Sequence, residues 1–281
     1  MELLHMDTAR VAELLPRRRR ESHKGDYGRI LLLCGSRGFT GAAALAAMGA
    51  LRSGAGLVYL AVPESIYAIE AVKLTEPVVL PLPDEGGMLS ASAISEIRAL
   101  LPKMDAVLFG CGSGLGQGPE GVLEMLLKEC QKPLVLDADG ITLLSRNIDL
   151  LRGRTSPLIL TPHDGEFQRL MPIAGNRLEQ TVEMARRLGA VVLRKGHRTL
   201  ITDGLVCWEN TTGNPGMAVG GSGDVLAGIV LSLLGQGLEP LDAGACAAYL
   251  HGLAGDRCAE GLGEYGMLPT DLLEVLPRLL K

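Results

Sequence analysis

Short apolar runs alternating with longer helical patterns constrain this chain more than any other feature. Arg29–Cys34 (R-I-L-L-L-C), Leu57–Val62, Ala106–Phe109, Pro133–Leu136, Pro157–Leu160 and Ala190–Leu193 have strand length and are nearly continuous in apolar residues. Between them lie helical stretches: Gly41–Arg52, rich in Ala and ended by Ser53-Gly54, Ala91–Leu101, and one between Phe109 and Pro133. Strand, helix, strand repeated in this way predicts parallel strands joined by right-handed crossovers. Strands without a polar face predict a sheet covered on both sides. Thr199–Thr202 and Leu205–Trp208 lie close together and predict an antiparallel edge hairpin over Asp203-Gly204. Three helices are expected to close the chain: Asp224–Leu234, Leu241–Cys258 and Thr270–Leu276, the last stopped near Pro277.

The 281 residues, 47% hydrophobic, suffice for one large α/β core. With aromatics at 3%, that core must be built from Leu, Val, Ala and Ile, which favours close packing of helix on sheet. No low-complexity linker or repeat divides the sequence, so residues 1–281 are expected to form a single domain. A net charge of −5 argues against a nucleic-acid partner. The basic cluster Arg17–Arg20 reads as a solvated loop, or else as a contact for an anionic ligand or a neighbouring subunit. No apolar run has membrane-spanning length, and Met1–Arg10 lacks the plan of a signal peptide. Cys34, Cys111, Cys130, Cys207, Cys246 and Cys258 show no C-x-x-C spacing. They are expected to be small buried or semi-buried residues in a reducing cytoplasm, neither a metal site nor a disulfide frame.

Ligands of open α/β sheets sit beyond the carboxyl ends of the strands. Glycine-bearing loops follow the predicted strands at Gly35–Gly41, Gly110–Gly116, Asp137–Gly140, Thr161–Glu166 and Lys195–Thr199. On one edge of one sheet they predict a glycine-lined cleft for a phosphate-bearing ligand. The densest element is N-P-G-M-A-V-G-G-S-G-D-V-L-A-G at Asn214–Gly228. It is neither a Walker loop, since no G-K-[ST] follows, nor a dinucleotide fingerprint, since no strand ends before it and Pro215 interrupts. Amides of Gly221, Ser222 and Gly223 opening a helix make an anion hole, reinforced by the helix dipole. Asp224 would repel an anion bound there. That conflict assigns the acid to a nucleophile while the amides hold a phosphoryl group. Its plainer role is an N-cap, and the two can coexist.

These segments resemble the ribokinase-like superfamily and, more closely, the ADP- or ATP-dependent NAD(P)H-hydrate dehydratases. The resemblance covers nearly the whole chain: S-H-K-G-D-Y-G at Ser22–Gly28, G-S at Gly35-Ser36, G-A-A-A at Gly41–Ala44, G-C-G-S-G-L-G at Gly110–Gly116, L-D-A-D-G at Leu136–Gly140, T-P-H-D-G-E at Thr161–Glu166, K-G at Lys195-Gly196, and the Asn214–Gly228 element. It implies a three-layer α/β/α fold with a mostly parallel sheet. It also implies a repair activity in which a nucleotide phosphoanhydride drives removal of water from hydrated NADH or NADPH. Family habit in bacteria implies ADP as donor, AMP and phosphate as products, Mg²⁺ as cofactor, and a homotetramer. Three departures stand out. The Gly110–Gly116 loop carries extra residues where the family often has G-P-G-L-G, which leaves the substrate-contacting glycine as Gly112 or Gly114. Ile141-Thr142 replace a common L-N. Ser222 replaces the commoner Thr of G-T-G-D and keeps the hydroxyl. Many relatives also carry an N-terminal epimerase domain, which a chain starting almost directly at S-H-K-G is expected to lack.

Carried onto this sequence, the resemblance makes Asp224 the general base toward the ring hydroxyl, with Gly221, Ser222 and Gly223 stabilising the transferred phosphoryl. Ala42, Ala43, Gly112 or Gly114, His163 and Asp224 would contact the hydrated dinucleotide. Lys195, Gly196, His197, Arg198, Thr199 and Gly223 would line the adenine nucleotide, Lys195 nearest the phosphates. Glu166 is a candidate to hold Mg²⁺ through water. A vitamin or sugar kinase of the same fold would share Asp224 but release a stable phosphorylated product, and the S-H-K-G and T-P-H-D-G-E segments argue against it. A non-catalytic adenine-nucleotide sensor would need no acid at position 224. Asp224→Ala is therefore expected to abolish turnover and leave nucleotide binding, measured by calorimetry, largely intact; near-normal turnover would refute the assignment.

Overall fold

A computed structural model describes residues 3–280; Met1, Glu2 and Lys281, which the expected domain includes, lie outside the described residues. The strands are β1 (Leu3–His5), β2 (Arg29–Leu33), β3 (Leu57–Pro63), β4 (Val78–Leu82), the small pair β5 (Asp84–Glu85) and β6 (Met88–Leu89), β7 (Ala106–Phe109), β8 (Leu134–Leu136), β9 (Leu158–Leu160), β10 (Val191–Arg194), β11 (Leu200–Thr202) and β12 (Cys207–Glu209). The helices are α1 (Thr8–Leu14), α2 (Thr40–Arg52), α3 (Glu64–Lys73), α4 (Ile94–Leu100), α5 (Gln117–Glu129), α6 (Asp139–Arg146), α7 (Asp164–Leu170), α8 (Arg177–Leu188), α9 (Ser222–Gly235), α10 (Pro240–Leu262) and α11 (Pro269–Leu279).

One ten-stranded sheet runs in the order β1-β12-β11-β10-β9-β8-β7-β2-β3-β4. Strands β10, β9, β8, β7, β2, β3 and β4 are parallel, and β11 is antiparallel to both its neighbours. Alternate strand residues feed opposite cores, as the pleat requires. Ile30, Leu32, Leu108 and Leu193 pack with α2, α9 and α10, while Leu31, Leu33, Phe109 and Val192 pack with α4 to α8. The expected three-layer, mostly parallel architecture is thus the one observed. No described helix is long and apolar enough to cross a membrane. All six cysteines are free and buried.

The expected hairpin is present but tighter in its strands and longer in its turn. Gly204 takes φ 93°, and Asp203 Oδ1 accepts from the amides of Leu205 (2.8 Å) and Val206 (2.9 Å), so β12 starts only at Cys207. A strand that the periodicity does not reveal, β1, pairs in parallel outside β12, with His5 opposite Glu209. The last helix continues through Pro277 to Leu279, past the expected stop. Pro277 removes one donor in the final turn, and burial of Leu272, Leu273 and Leu276 outweighs that loss.

Helices α2 and α9 lie side by side in the same direction, because Leu45 meets Gly221 and Gly49 meets Val225. Their backbones nearly touch. A Cβ on Gly49 would lie 2.6 Å from Val225 O, and one on Gly228 would lie 2.1 Å from Ala46 O and 2.9 Å from Ala50 N. Both helices therefore begin at the carboxyl edge of the sheet. Gly228→Ala forces the pair apart and is expected to destabilise the fold by about 3 kcal/mol in denaturant unfolding. Gly261→Ala, on an open face of α10 with nothing within 4 Å, is expected to add up to about 1 kcal/mol.

Candidate active site

The ends of four adjacent strands converge on one buried carboxylate, Asp137, just beyond β8. Its Oδ1 accepts from Lys195 Nζ (2.7 Å) and from Thr161 Oγ1 (2.7 Å), and its Oδ2 takes the Cys111 thiol at 3.6 Å. These partners follow β10, β9 and β7, so the parallel register itself brings them together. Burial alone would lower the Lys195 pKa. The negative charges of Asp137 and Glu166, with the hydrogen bond to Asp137, more than offset that and raise it. Lys195 is accordingly an ammonium held inside the cleft.

Asp224 stands in the first turn of α9 against this pair. Its carboxylate, the Asp137 carboxylate and the Cys111 sulfur lie within 4.8 Å of one another. Burial pushes the Asp224 pKa up to about 6, with Asp137 adding to the rise and the Cys111 contact and Lys195 opposing it. A carboxylate so placed is ionised at neutral pH yet basic enough to take a proton, which is the tuning a general base needs.

Gly221 caps α9 in the left-handed region (φ 100°) and has no side chain to satisfy the first-turn donors. A Cβ there would lie 2.5 Å from Leu45 Cδ1, so the turn is open because α2 is close. The Ser222 amide turns back to Val219 O at 3.3 Å, and the Val225 amide reaches Gly221 O at 3.2 Å. The amides of Gly223 and Asp224 have no acceptor among the described residues. A Cβ on Gly223 would stand 3.3 Å from Lys195 Nζ, so ammonium and free amides face one spot. Of the expected donors, the amides of Gly221 and Gly223 are without an acceptor among the described residues, as is that of Asp224, whereas the Ser222 amide is spent on Val219 O and its hydroxyl turns to His251 Nε2 at 3.3 Å.

The expected substrate residues divide. Ala42 is half-buried at the start of α2, and Gly112 sits against it: a Cβ on Gly112 would meet Phe39 Cβ at 2.8 Å and Ala42 Cβ at 3.0 Å. Gly114 is differently employed. Its amide donates to Asp139 Oδ2 (2.8 Å), and Met88 Sδ fills the space beside its Cα. Of the two glycines, Gly112 is the one that stands with Ala42. Ala43 is fully buried and packs beneath Gly35, so it faces the core and, unlike Ala42, is not exposed to the cleft. The reason is helical phase: successive side chains at the start of α2 point apart by about a quarter-turn.

His163 caps α7, its Nδ1 accepting from Gly165 N (3.0 Å) and Glu166 N (3.3 Å), while Nε2 lies 3.2 Å from Glu166 Oε1. Nδ1 thus faces the first-turn amides and Nε2 faces Glu166, with half of the ring exposed. Glu166 is buried and returns Oε2 to the His163 amide at 2.9 Å, so both its oxygens meet His163. Burial raises its pKa, with Lys195 and the His163 amide opposing.

Of the nucleotide residues, Lys195 points inward while Gly196, His197 and Arg198 are exposed. Thr199 Oγ1 donates to Gly196 O (3.0 Å), and Arg198 reaches Glu209 at 3.1 Å. Arg177, from α8, clamps this loop through the carbonyls of Arg194 (3.2 Å), Lys195 (2.8 Å) and His197 (3.2 Å). Arg177, Asp137, Thr161 and His251 were not singled out from sequence. Asp137 sits within L-D-A-D-G, where an acid after an apolar strand was visible but its inward aim was not. Ala138 beside it is held at φ 48°, ψ −113°, a conformation rare for a residue with a Cβ.

A family model described as NAD(P)H-hydrate dehydratase matches residues 30–278. The chain belongs to this family. It is 45% identical over 275 residues to a bifunctional NAD(P)H-hydrate repair enzyme of Moorella thermoacetica, covering 95% of this chain and 52% of that protein. The chain thus spans about half the length of the bifunctional members it matches. It is 33% identical over 269 residues to the ADP-dependent (S)-NAD(P)H-hydrate dehydratase of Listeria monocytogenes, covering 95% of this chain and 92% of that one. It superposes with a TM-score of 0.86 and 31% identity on the ADP/ATP-dependent NAD(P)H-hydrate dehydratase of Bacillus subtilis co-crystallised with ATP and Mg²⁺, over 99% and 98% of the two chains.

The raised pKa of Asp224 carries a stability consequence. The folded protein holds that proton more tightly than the unfolded chain does, so the ionised form becomes a burden as pH rises from about 4 to about 6, and remains one above. Asp224→Asn removes it. The variant is expected to be more stable than the parent by roughly 2 kcal/mol at pH 7.5 and to have no such advantage near pH 4, by urea unfolding at both values.

Proposed function

We propose that this chain converts hydrated NADH or NADPH to the functional dinucleotide with ADP as phosphoryl donor, releasing AMP and phosphate. The observation that carries this reading is the Asp224 carboxylate, poised at about 6, beside the Gly223 and Asp224 amides and the Lys195 ammonium. Hydroxide leaves poorly and phosphate leaves well, so the ring hydroxyl must first become an ester. Asp224 accepts its proton as the oxygen attacks the terminal phosphorus of ADP. The P–O bond to AMP breaks, and charge developing on the phosphoryl oxygens is met by Lys195 and the two amides. Such preorganised donors contribute on the order of 3 kcal/mol each. The ring nitrogen lone pair then expels phosphate, and loss of a neighbouring ring proton restores the double bond. Ala42, Gly112 and His163 would bind the dinucleotide, and the Lys195–Thr199 loop the adenine nucleotide.

The oxygen donors suit a hard cation. Asp137 and Asp224 would face Mg²⁺, with Glu166 reached through water, while the Cys111 thiol, its pKa raised by its contact with Cys34 and by burial, stays protonated and outside the set. Bound there, Mg²⁺ would neutralise phosphate charge. Family habit further supports a homotetramer in the cytoplasm.

The test offers hydrated NADH and ADP to the purified chain and follows recovery of NADH absorbance together with AMP. We expect both, with kcat/KM rising through an acid limb at about pH 6 as Asp224 ionises, and levelling above it. A stable phosphorylated product without NADH recovery would assign a kinase instead. Tight ADP binding with neither product would assign a sensor.

A further inference from the structure

The segment from Asn210 to Gly221 has little structure of its own, yet it ends in the anion hole. What holds it is one stretch of α10. Thr212 Oγ1 donates to Tyr249 O (2.9 Å), and a Cβ on Gly252 would lie 2.6 Å from Thr212 O. Asp256 takes the Gly213 amide (2.9 Å) and Asn214 Nδ2 (3.1 Å). Met217 packs on Gly255, where a Cβ would come within 2.3 Å of its sulfur. Within the same stretch the buried His251 ring meets the Ser222 hydroxyl at 3.3 Å. Residues 249, 252, 255 and 256 recur at helical spacing, so Tyr249–Asp256 acts as a template for the strap.

Ser222 is the first residue of α9, directly before the two unpaired amides, and the cap residue Gly221 offers no side chain to fix the turn. We infer that His251 is a positioning residue: through Ser222 it sets the aim of the Gly223 and Asp224 amides and of the Asp224 carboxylate. This rests on the dehydratase reading for its kinetic consequence, not for the contact itself. Burial, with Lys195 adding to it, pushes the His251 pKa down to about 4, and the Ser222 backbone only partly opposes this. The ring is thus neutral and introduces no second charge beside Lys195. It also gives the buried Ser222 hydroxyl a partner.

The experiment compares the full chain with His251→Phe, Ser222→Ala, the double variant and His251→Gln. Each of the first two is expected to lower kcat about ten-fold, since one aligned hydrogen bond is at stake. KM for ADP should change less than about two-fold, because the nucleotide loop is anchored separately by Arg177. The double variant should fall no further than either single one, and His251→Gln, which keeps a polar terminus, should recover most of kcat. Multiplying effects, near a hundred-fold in the double variant, would overturn the inference, as would a folded His251→Phe with parental kcat. Hydrogen exchange of the peptide spanning 219–226 reads the contact without turnover. It should speed up about ten-fold in His251→Phe while peptides from β7 and β8 are unchanged. If the parent chain itself shows no ADP-dependent activity, the dehydratase reading fails, and this exchange result alone decides on His251: no change in exchange overturns its role.

Discussion

Everything at the carboxyl edge of the sheet depends on how closely α2 and α9 approach. With glycines at 49 and 228, the two helix backbones meet with no side chain between them. That spacing puts both amino ends at one place, so their two partial positive charges add there. It also leaves Gly221 wedged against Leu45, in a conformation that exposes the next amides. The parallel strands then supply the opposing wall, since β7, β8, β9 and β10 end side by side and deliver Cys111, Asp137, Thr161 and Lys195.

The electrostatics of that wall follow from a single choice, an ammonium buried beside two carboxylates. Lys195 binds Asp137 directly and offsets only part of the repulsion that Asp137 exerts on Asp224. A lone buried acid would stay protonated, and one fully paired with a cation would be too weak a base. Asp224 lies between these limits because its cation is committed to a neighbour. The same arrangement places the positive charge next to Gly223, where phosphoryl oxygens would gather it.

The long-range order was legible in the sequence wherever an apolar strand runs on without a polar face. Arg29–Leu33, Leu57–Pro63 and Ala106–Phe109 are read almost to the residue, as is the loop edge that holds the site. Short helices that begin inside functional loops were not legible, because Asp139 and Asp164 look like turn residues until the chain is folded around them. β1, three residues long, is too short to announce itself. Within the site, the chemistry of Asp224 and Lys195 could be argued from residue type and motif. The inward aim of Ala43, the withdrawal of the Ser222 amide and the spending of Gly114 on Asp139 could not, since each turns on side-chain phase within one turn of backbone. His251 carried no signal, being a lone histidine in a small-residue stretch of α10 with no motif around it.

The cysteines have a consequence for durability. Each of the six is buried, and burial pushes the thiols of Cys130, Cys207, Cys246 and Cys258 upward, as it does, after the Cys34 contact, for Cys111 beside Asp137 and Asp224. Peroxides and alkylating agents attack the anion, not the neutral sulfhydryl. Thiolate chemistry is thereby suppressed at these five cysteines, and the same dryness that raises the Asp224 pKa shields the Cys111 sulfur beside it.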